Sequence, residues 1–300
     1  MIDLHIHSNY SDDADFSPFE LVQKCRDAGI TMMSITDHNS AMGNKEARNA
    51  AEDFGIKYIT GIEIDCFFND ISVHLLGYGI DDDSPDFEQL YKNILSKEKA
   101  ASYERLRLIN QFGFEVSEDE MNNISNINDE AGIWNGEMFA EVLLAKPEYK
   151  DHEILLPYRE GRERADNPYV NFYWDYVSHG KPCYADVDFP DFRDAFAIIK
   201  DNGGKAVLAH PGNNLKNRLH IFSDILSTGI DGIEVFCSYH DREAAEYFYK
   251  QARDNNLLIT CGSDFHGKTK PSVKLGKTGC RLDYNEMETD LWAVLGTSFG

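Results

Sequence analysis

Near its start the chain reads Asp3-Leu4-His5-Ile6-His7, with the side chains able to do chemistry at alternate positions. In an extended strand alternate side chains share a face, so Asp3, His5 and His7 lie opposite Ile2, Leu4 and Ile6. Two imidazoles on one strand face can reach the same ion. Such a pair arises often by chance, and it gains weight only from similar residues further along the chain. Asp12 lies in the polar turn Ser11-Asp12-Asp13, and Asp37-His38 closes an apolar run. Glu63 closes the next run, and His74 sits within Ile71-Ser-Val-His-Leu-Leu-Gly-Tyr78. His210 precedes Pro211-Gly212, and Asp264 and His266 end the series. Buried without partners, these ionisable groups would cost more than a fold can supply, and metal ions remove that cost. Imidazole and carboxylate without thiolate suit Zn, Mn or Fe.

The last of these segments, GSDFHGKT from Gly262 to Thr269, also fits the phosphate-cradling pattern G-x-x-x-x-G-K-[ST]. A cradle of backbone N–H groups would be opposed by an inward Asp264. It also needs a following helix, whereas Pro271 and Lys274-Leu-Gly276 read as turn and strand. The loop is therefore expected to hold metal rather than nucleotide.

The elements that must position these residues share one design. Apolar runs of strand length end in a polar residue at 2–7, 31–38, 56–63, 206–210, 232–236 and 257–264. Near-continuous apolar strands imply burial on both faces, as in a parallel sheet covered by helices. Ser17-Pro-Phe-Glu20 is a capping box with proline at the first helical position. Further helices are expected over 43–54, 192–202 and 241–254. Strand alternating with helix gives an α/β fold, and functional residues at strand ends point to a barrel. Residues 84–190 break the rhythm with a long helical pattern (86–111), an acidic stretch and an aromatic, Arg-rich region. The expected organisation is a barrel formed by 1–83 and 191–300, with 84–190 inserted as a mainly helical cap.

The ordered set DLHIH with Ser-Asp12, Thr-Asp-His38, Gly-Ile-Glu63, Ala-His-Pro211 and Gly-Ser-Asp-Phe-His266 resembles the successive motifs of the PHP (polymerase and histidinol phosphatase) family. The resemblance implies a distorted (β/α)7 barrel with two or three divalent metals. It implies one metal on His5, His7, Glu63 and Asp264, a second on Glu63, His74 and His210, and a third on Asp12, His38 and His266. Phe172 to Tyr184 and Tyr239-His240 resemble the stand-alone branch that acts on nucleoside 3′,5′-bisphosphates and short oligoribonucleotides. That branch carries an Arg-Pro-His-like stretch where this chain reads Gly136-Glu137-Met138. A histidinol-phosphatase-like phosphomonoesterase is the alternative enzyme. A non-catalytic metal-binding module is the alternative of another class, and the completeness of the ligand set argues against it.

Clustered metals sharing a carboxylate, about 3.5–4 Å apart, suit phosphate ester hydrolysis by a metal-activated water. His240 follows a strand end and is the candidate general acid. Arg159, Arg162, Arg164, Arg218 and Lys268 are candidate substrate-phosphate donors. The net charge of −23 argues against long duplex nucleic acid as partner and leaves a small phosphorylated substrate, such as a nucleotide. No stretch has the apolar length of a membrane span, the start lacks signal-peptide character, and the six scattered cysteines read as reduced thiols. The expected compartment is the cytoplasm.

Overall fold

The computed structural model describes residues 1–125 and 133–295. Residues 126–132 of the expected cap and 296–300 of the expected barrel lie outside them.

Among the described residues, eight strands form two sheets. In the first, β1 (Ile2–Ile6), β2 (Met32–Ile35) and β3 (Lys57–Tyr58) run parallel in that order. The second has the order β4 (Gly61–Phe68), β5 (Ile71–Tyr78), β6 (Lys205–Leu208), β7 (Gly232–Cys237) and β8 (Leu258–Gly262). The expected strand over 56–63 is in fact two strands on different sheets. The expectation of a wholly parallel arrangement is also corrected, because β5 runs antiparallel to both β4 and β6. A two-residue link from Phe68 to Ile71 allows only a hairpin.

The sheets are stitched together where the polar residues lie. At one seam Asp264 N donates to His5 O (2.8 Å) and His7 N to Phe265 O (3.0 Å). At the other, Glu63 N donates to Asp37 O (3.1 Å) and Asn39 N to Glu63 O (2.7 Å). These bonds bring the ends of β1, β2, β4 and β8 to one rim.

The expected helices are present. Pro18–Asp27 starts at the Ser17–Glu20 capping box, and Asn44–Phe54 ends at Gly55 with φ 68°, where a side chain would be strained. Phe192–Asp201 and Arg242–Asp254 cover the second sheet, each begun by an aspartate cap. The main core packs Ile62, Leu75, Val207, Ile233 and Cys261. The long helix Pro85–Gln111 contributes Phe87, Leu90 and Ile94 to that core. Its second half turns to a separate cluster of Leu106, Ile109, Trp134, Phe139, Leu143 and Phe172. Residues between 84 and 190 thus build a core of their own beside the sheets. None of the described helices is long and apolar enough to cross a membrane.

Candidate metal centre

Strand geometry explains how the donors meet. Glu63 and Asp65 share a face of β4, and the hairpin register sets His74 opposite Asp65. His210 and Asp264 follow the ends of β6 and β8 with positive φ (22° and 58°), a conformation costing about 1–3 kcal/mol for a non-glycine residue. Gly262 is needed for closeness: a Cβ there would sit 2.1 Å from the Cβ of His5 and 2.6 Å from Glu234 Oε1.

Four histidines have one ring nitrogen already committed. Nδ1 of His5 donates to Glu234 Oε1 (3.0 Å), and Nδ1 of His210 donates to Asn214 Oδ1 (2.6 Å). His7 Nδ1 donates to Ser11 Oγ (3.1 Å), whose own proton goes to Asp37 Oδ1. His266 Nδ1 donates to the Asp264 carbonyl (2.9 Å). In the neutral ring each Nε2 is then a bare lone pair, the form a metal ligand requires.

Those Nε2 atoms face carboxylates. His5 Nε2, His7 Nε2, Glu63 Oε2 and Asp264 Oδ1 lie together, each imidazole nitrogen 3.0 to 3.2 Å from both carboxylate oxygens and 3.1 Å from the other. Donors about 2.0–2.2 Å from one ion lie roughly this far apart. Four buried acceptors in such a cluster repel one another unless a positive charge sits among them. Glu63 Oε1 faces a second group, His74 Nδ1 at 3.0 Å and His210 Nε2 at 3.1 Å. A third group collects His7, His38, His266 and Asp13, with His266 Nε2 3.1 Å from Asp13 Oδ2. A fourth joins His38, His74 and Asp65, with His38 Nδ1 3.0 Å from Asp65 Oδ1. Neither atom of this last pair, nor Asp13 Oδ1 or Asp264 Oδ1, has a hydrogen-bond partner among the described residues. Orphaned buried donors aimed at a common space fit divalent cations, and the all-imidazole and carboxylate set fits Mn, Zn or Fe.

The protonation balance agrees. Burial works against protonated His5, but Glu63, Glu234 and Asp264 outweigh it and raise its pKa well above 6.5. His38 is raised likewise against burial by Asp65 and Glu63. Burial would raise the Glu63 carboxyl, yet His5, His74 and His38 hold it well below the carboxylate range. His7 is lowered to about 4 by burial and by His266 and His38. The centre therefore demands positive charge, whether as ring protons or as metal.

Of the ligands expected from the sequence, His5, His7, Glu63, Asp264, His74 and His210 fall into the two groups anticipated. Asp12 does not join His38 and His266, and its neighbour Asp13 takes that place. Asp65 and Glu234 were not expected. Glu234 also accepts from His210 N at 2.9 Å, so one carboxylate orients two of the histidines.

The centre opens into a cavity of about 500 Å³ whose lining includes residues from between 84 and 190 as well as from the sheets. Arg218 lines it as expected, but the other predicted donors do not. Arg159 donates to the carbonyls of Leu144 and Tyr149, and Arg164 pairs with Asp175. Arg162 is exposed away from the cavity, and Lys268 pairs with Glu141. His240 is also outside the lining. Its Nδ1 donates to Val235 O (2.8 Å), its Nε2 accepts from Gly212 N (2.9 Å), and its ring stacks on Phe248. Both nitrogens support backbone, leaving no proton for a leaving group. Arg105, buried, and Lys270, half-buried, do line the cavity, Lys270 with Nζ 2.6 Å from Asp264 Oδ2. After Gly262–Thr269 the chain continues in turns, so the helix a nucleotide cradle needs is absent there.

Comparison with known proteins gives the family. The PHP domain model matches residues 3–161, and the chain belongs to that family. The chain is 29% identical to the phosphoribosyl 1,2-cyclic phosphate 1,2-diphosphodiesterase of Eggerthella lenta, over 89% of this chain and 94% of that protein. It is equally 29% identical to the 3′,5′-nucleoside bisphosphate phosphatase of Chromobacterium violaceum, over 96% of each. A solved structure from Bifidobacterium adolescentis, a candidate metal-dependent phosphoesterase, superposes with a TM-score of 0.78 at 25% identity, covering 97% of this chain and 95% of that one. The protein is a metal-dependent phosphoesterase.

Proposed function

We propose that the protein hydrolyses the phosphate ester of a small nucleotide, a nucleoside 3′,5′-bisphosphate or a short oligoribonucleotide. The observation that carries the reading is the convergence of two imidazole nitrogens, each 3.0–3.2 Å from the same two carboxylate oxygens, with Glu63 turning its other oxygen to a second histidine pair. His5, His7, Glu63 and Asp264 would hold one divalent ion, and Glu63, His74 and His210 a second. Asp13, His38 and His266 would hold a third, with Asp65 supporting His38. Bound metals supply a hydroxide-like water at neutral pH and neutralise phosphate oxygens.

The chain's own residues do the rest. Glu234, Ser11 and Asn214 fix ring orientation, as carboxylates and hydroxyls behind metal-bound histidines do. Lys270 reaches into the cavity beside Asp264 and would donate to a phosphate oxygen. Tyr239 donates to Asp264 Oδ2 (2.5 Å) and holds that carboxylate's outer oxygen. The two stitched sheets are read as arcs of one distorted (β/α)7-type barrel, with 84–190 as a cap whose side chains close the cavity. Six free cysteines, five of them buried, suit a reducing cytoplasm.

A second reading rests on the Eggerthella relative, whose substrate by name is a phosphoribosyl ester without a base. The test is turnover of adenosine 3′,5′-bisphosphate against ribose phosphates, with metal and with chelator. Metal-dependent release of phosphate from the nucleotide supports the proposal. Turnover of ribose phosphates alone favours the second reading.

A further inference from the structure

One wall of the cavity has no part in the metal centre. Trp174 lies in the turn Tyr173–Val177 and lines the cavity while 44% exposed, one of four exposed aromatic residues among the described residues. Tyr173 meets it edge-on, with ring centroids 5.2 Å apart, and stiffens its base. Lys216 places its Nζ 5.2 Å from the Trp174 ring centroid. Lys216 and Arg218 both line the cavity, and neither pairs with a carboxylate among the described residues. On a chain of net charge −23, these two cations set positive charge beside the cavity. A flat π surface next to unneutralised positive charge is complementary to an aromatic base carrying a phosphate.

We infer that Trp174, with Lys216 and Arg218, forms the base end of the substrate site. The ring stacks the nucleobase, and the two cations take the phosphate remote from the metals. This rests on the proposed nucleotide reading and deepens it. It assigns the preference for base-bearing over base-free esters to Trp174. Trp174 is a specificity residue rather than a catalytic one, since it lies apart from the metal-binding donors. Its effect therefore belongs in substrate binding and not in the chemical step.

The test compares the metal-loaded wild type with Trp174→Ala, Trp174→Phe and Lys216→Ala. Adenosine 3′,5′-bisphosphate and ribose 5-phosphate are the substrates. In parallel, calorimetry measures binding of adenosine 3′,5′-bisphosphate to the chelated protein. For Trp174→Ala the ratio of kcat/KM, nucleotide over ribose phosphate, is expected to fall about tenfold, chiefly through KM. Binding to the chelated protein should weaken by a similar factor, and Trp174→Phe should recover most of both. An unchanged ratio together with unchanged nucleotide binding overturns the assignment, as does an equal loss on both substrates. A wild type that binds the nucleotide through Trp174 but hydrolyses only ribose phosphate upholds the subsite and overturns the nucleotide reading of the reaction.

Discussion

Glu63 Oε1 lies 3.1 Å from His210 Nε2, although 147 positions separate the two residues. The contact crosses from the first strand of the second sheet to the loop after its third, and it leaves Glu63 Oε2 for His5 and His7. A single carboxylate thus connects two histidine groups. Removing its charge while keeping its shape, in Glu63→Gln, should weaken both groups at once, whereas His210→Ala should weaken one. Metal titrations of the two variants distinguish these outcomes. Equal effects would contradict a bridging role.

Protons and metal compete for the same nitrogens. In the metal-free protein the carboxylates hold His5 and His38 protonated well above their usual 6.5. Metal must displace those protons, so affinity rises with pH until it passes the raised values and falls as the solution is acidified. Calorimetric titration with Zn²⁺ at neutral pH, in buffers of different ionisation enthalpy, should report release of at least about one proton per chain. Binding heats independent of the buffer would contradict the charge balance described.

Glu234 touches no metal-facing nitrogen, yet it fixes His5 through Nδ1 and His210 through its backbone N–H. Glu234→Gln should lower metal affinity about 10–100-fold, as loss of a supporting partner behind a ligand does. Competition against a chelator measures it. An unchanged affinity would show that packing alone orients the rings.

His240→Ala should act on stability rather than on chemistry. It removes the acceptor of Gly212 N–H and a ring stacked on Phe248. The expected loss is about 1–3 kcal/mol, read from denaturant unfolding. The pH–rate profile of the variant should keep the shape of the wild type. Loss of its alkaline limb with stability intact would return His240 to the role of general acid.

Much of the centre was legible because it obeys the periodicity of strands. His5 and His7 alternate with apolar residues, and Glu63, His210 and Asp264 end or follow apolar runs. Asp65 carried a signal of the same kind, being two residues after Glu63 and so on the same strand face. Glu234 carried another, a carboxylate in the middle of the apolar strand Gly232–Cys237, where burial demands a partner. Asp12 and Asp13 could not be told apart, since a turn has no period to say which side chain points inward. Nor could the arginines be placed. Arg159 and Arg164 are spent on carbonyls and Asp175 inside the region between 84 and 190, and no local pattern encodes such contacts. The antiparallel β5 carried a signal too: the polar pair Asn69-Asp70 between two apolar runs marks a hairpin turn, and so short a link fixes the strand direction.

The most direct test of the central claim is metal content. Wild-type protein is equilibrated with Mn²⁺ or Zn²⁺ at neutral pH, freed of unbound ion and submitted to elemental analysis beside Glu63→Ala. More than one tightly held ion per chain in the wild type, largely lost in the variant, is the predicted result. A wild-type chain that retains no metal under these conditions would contradict the account.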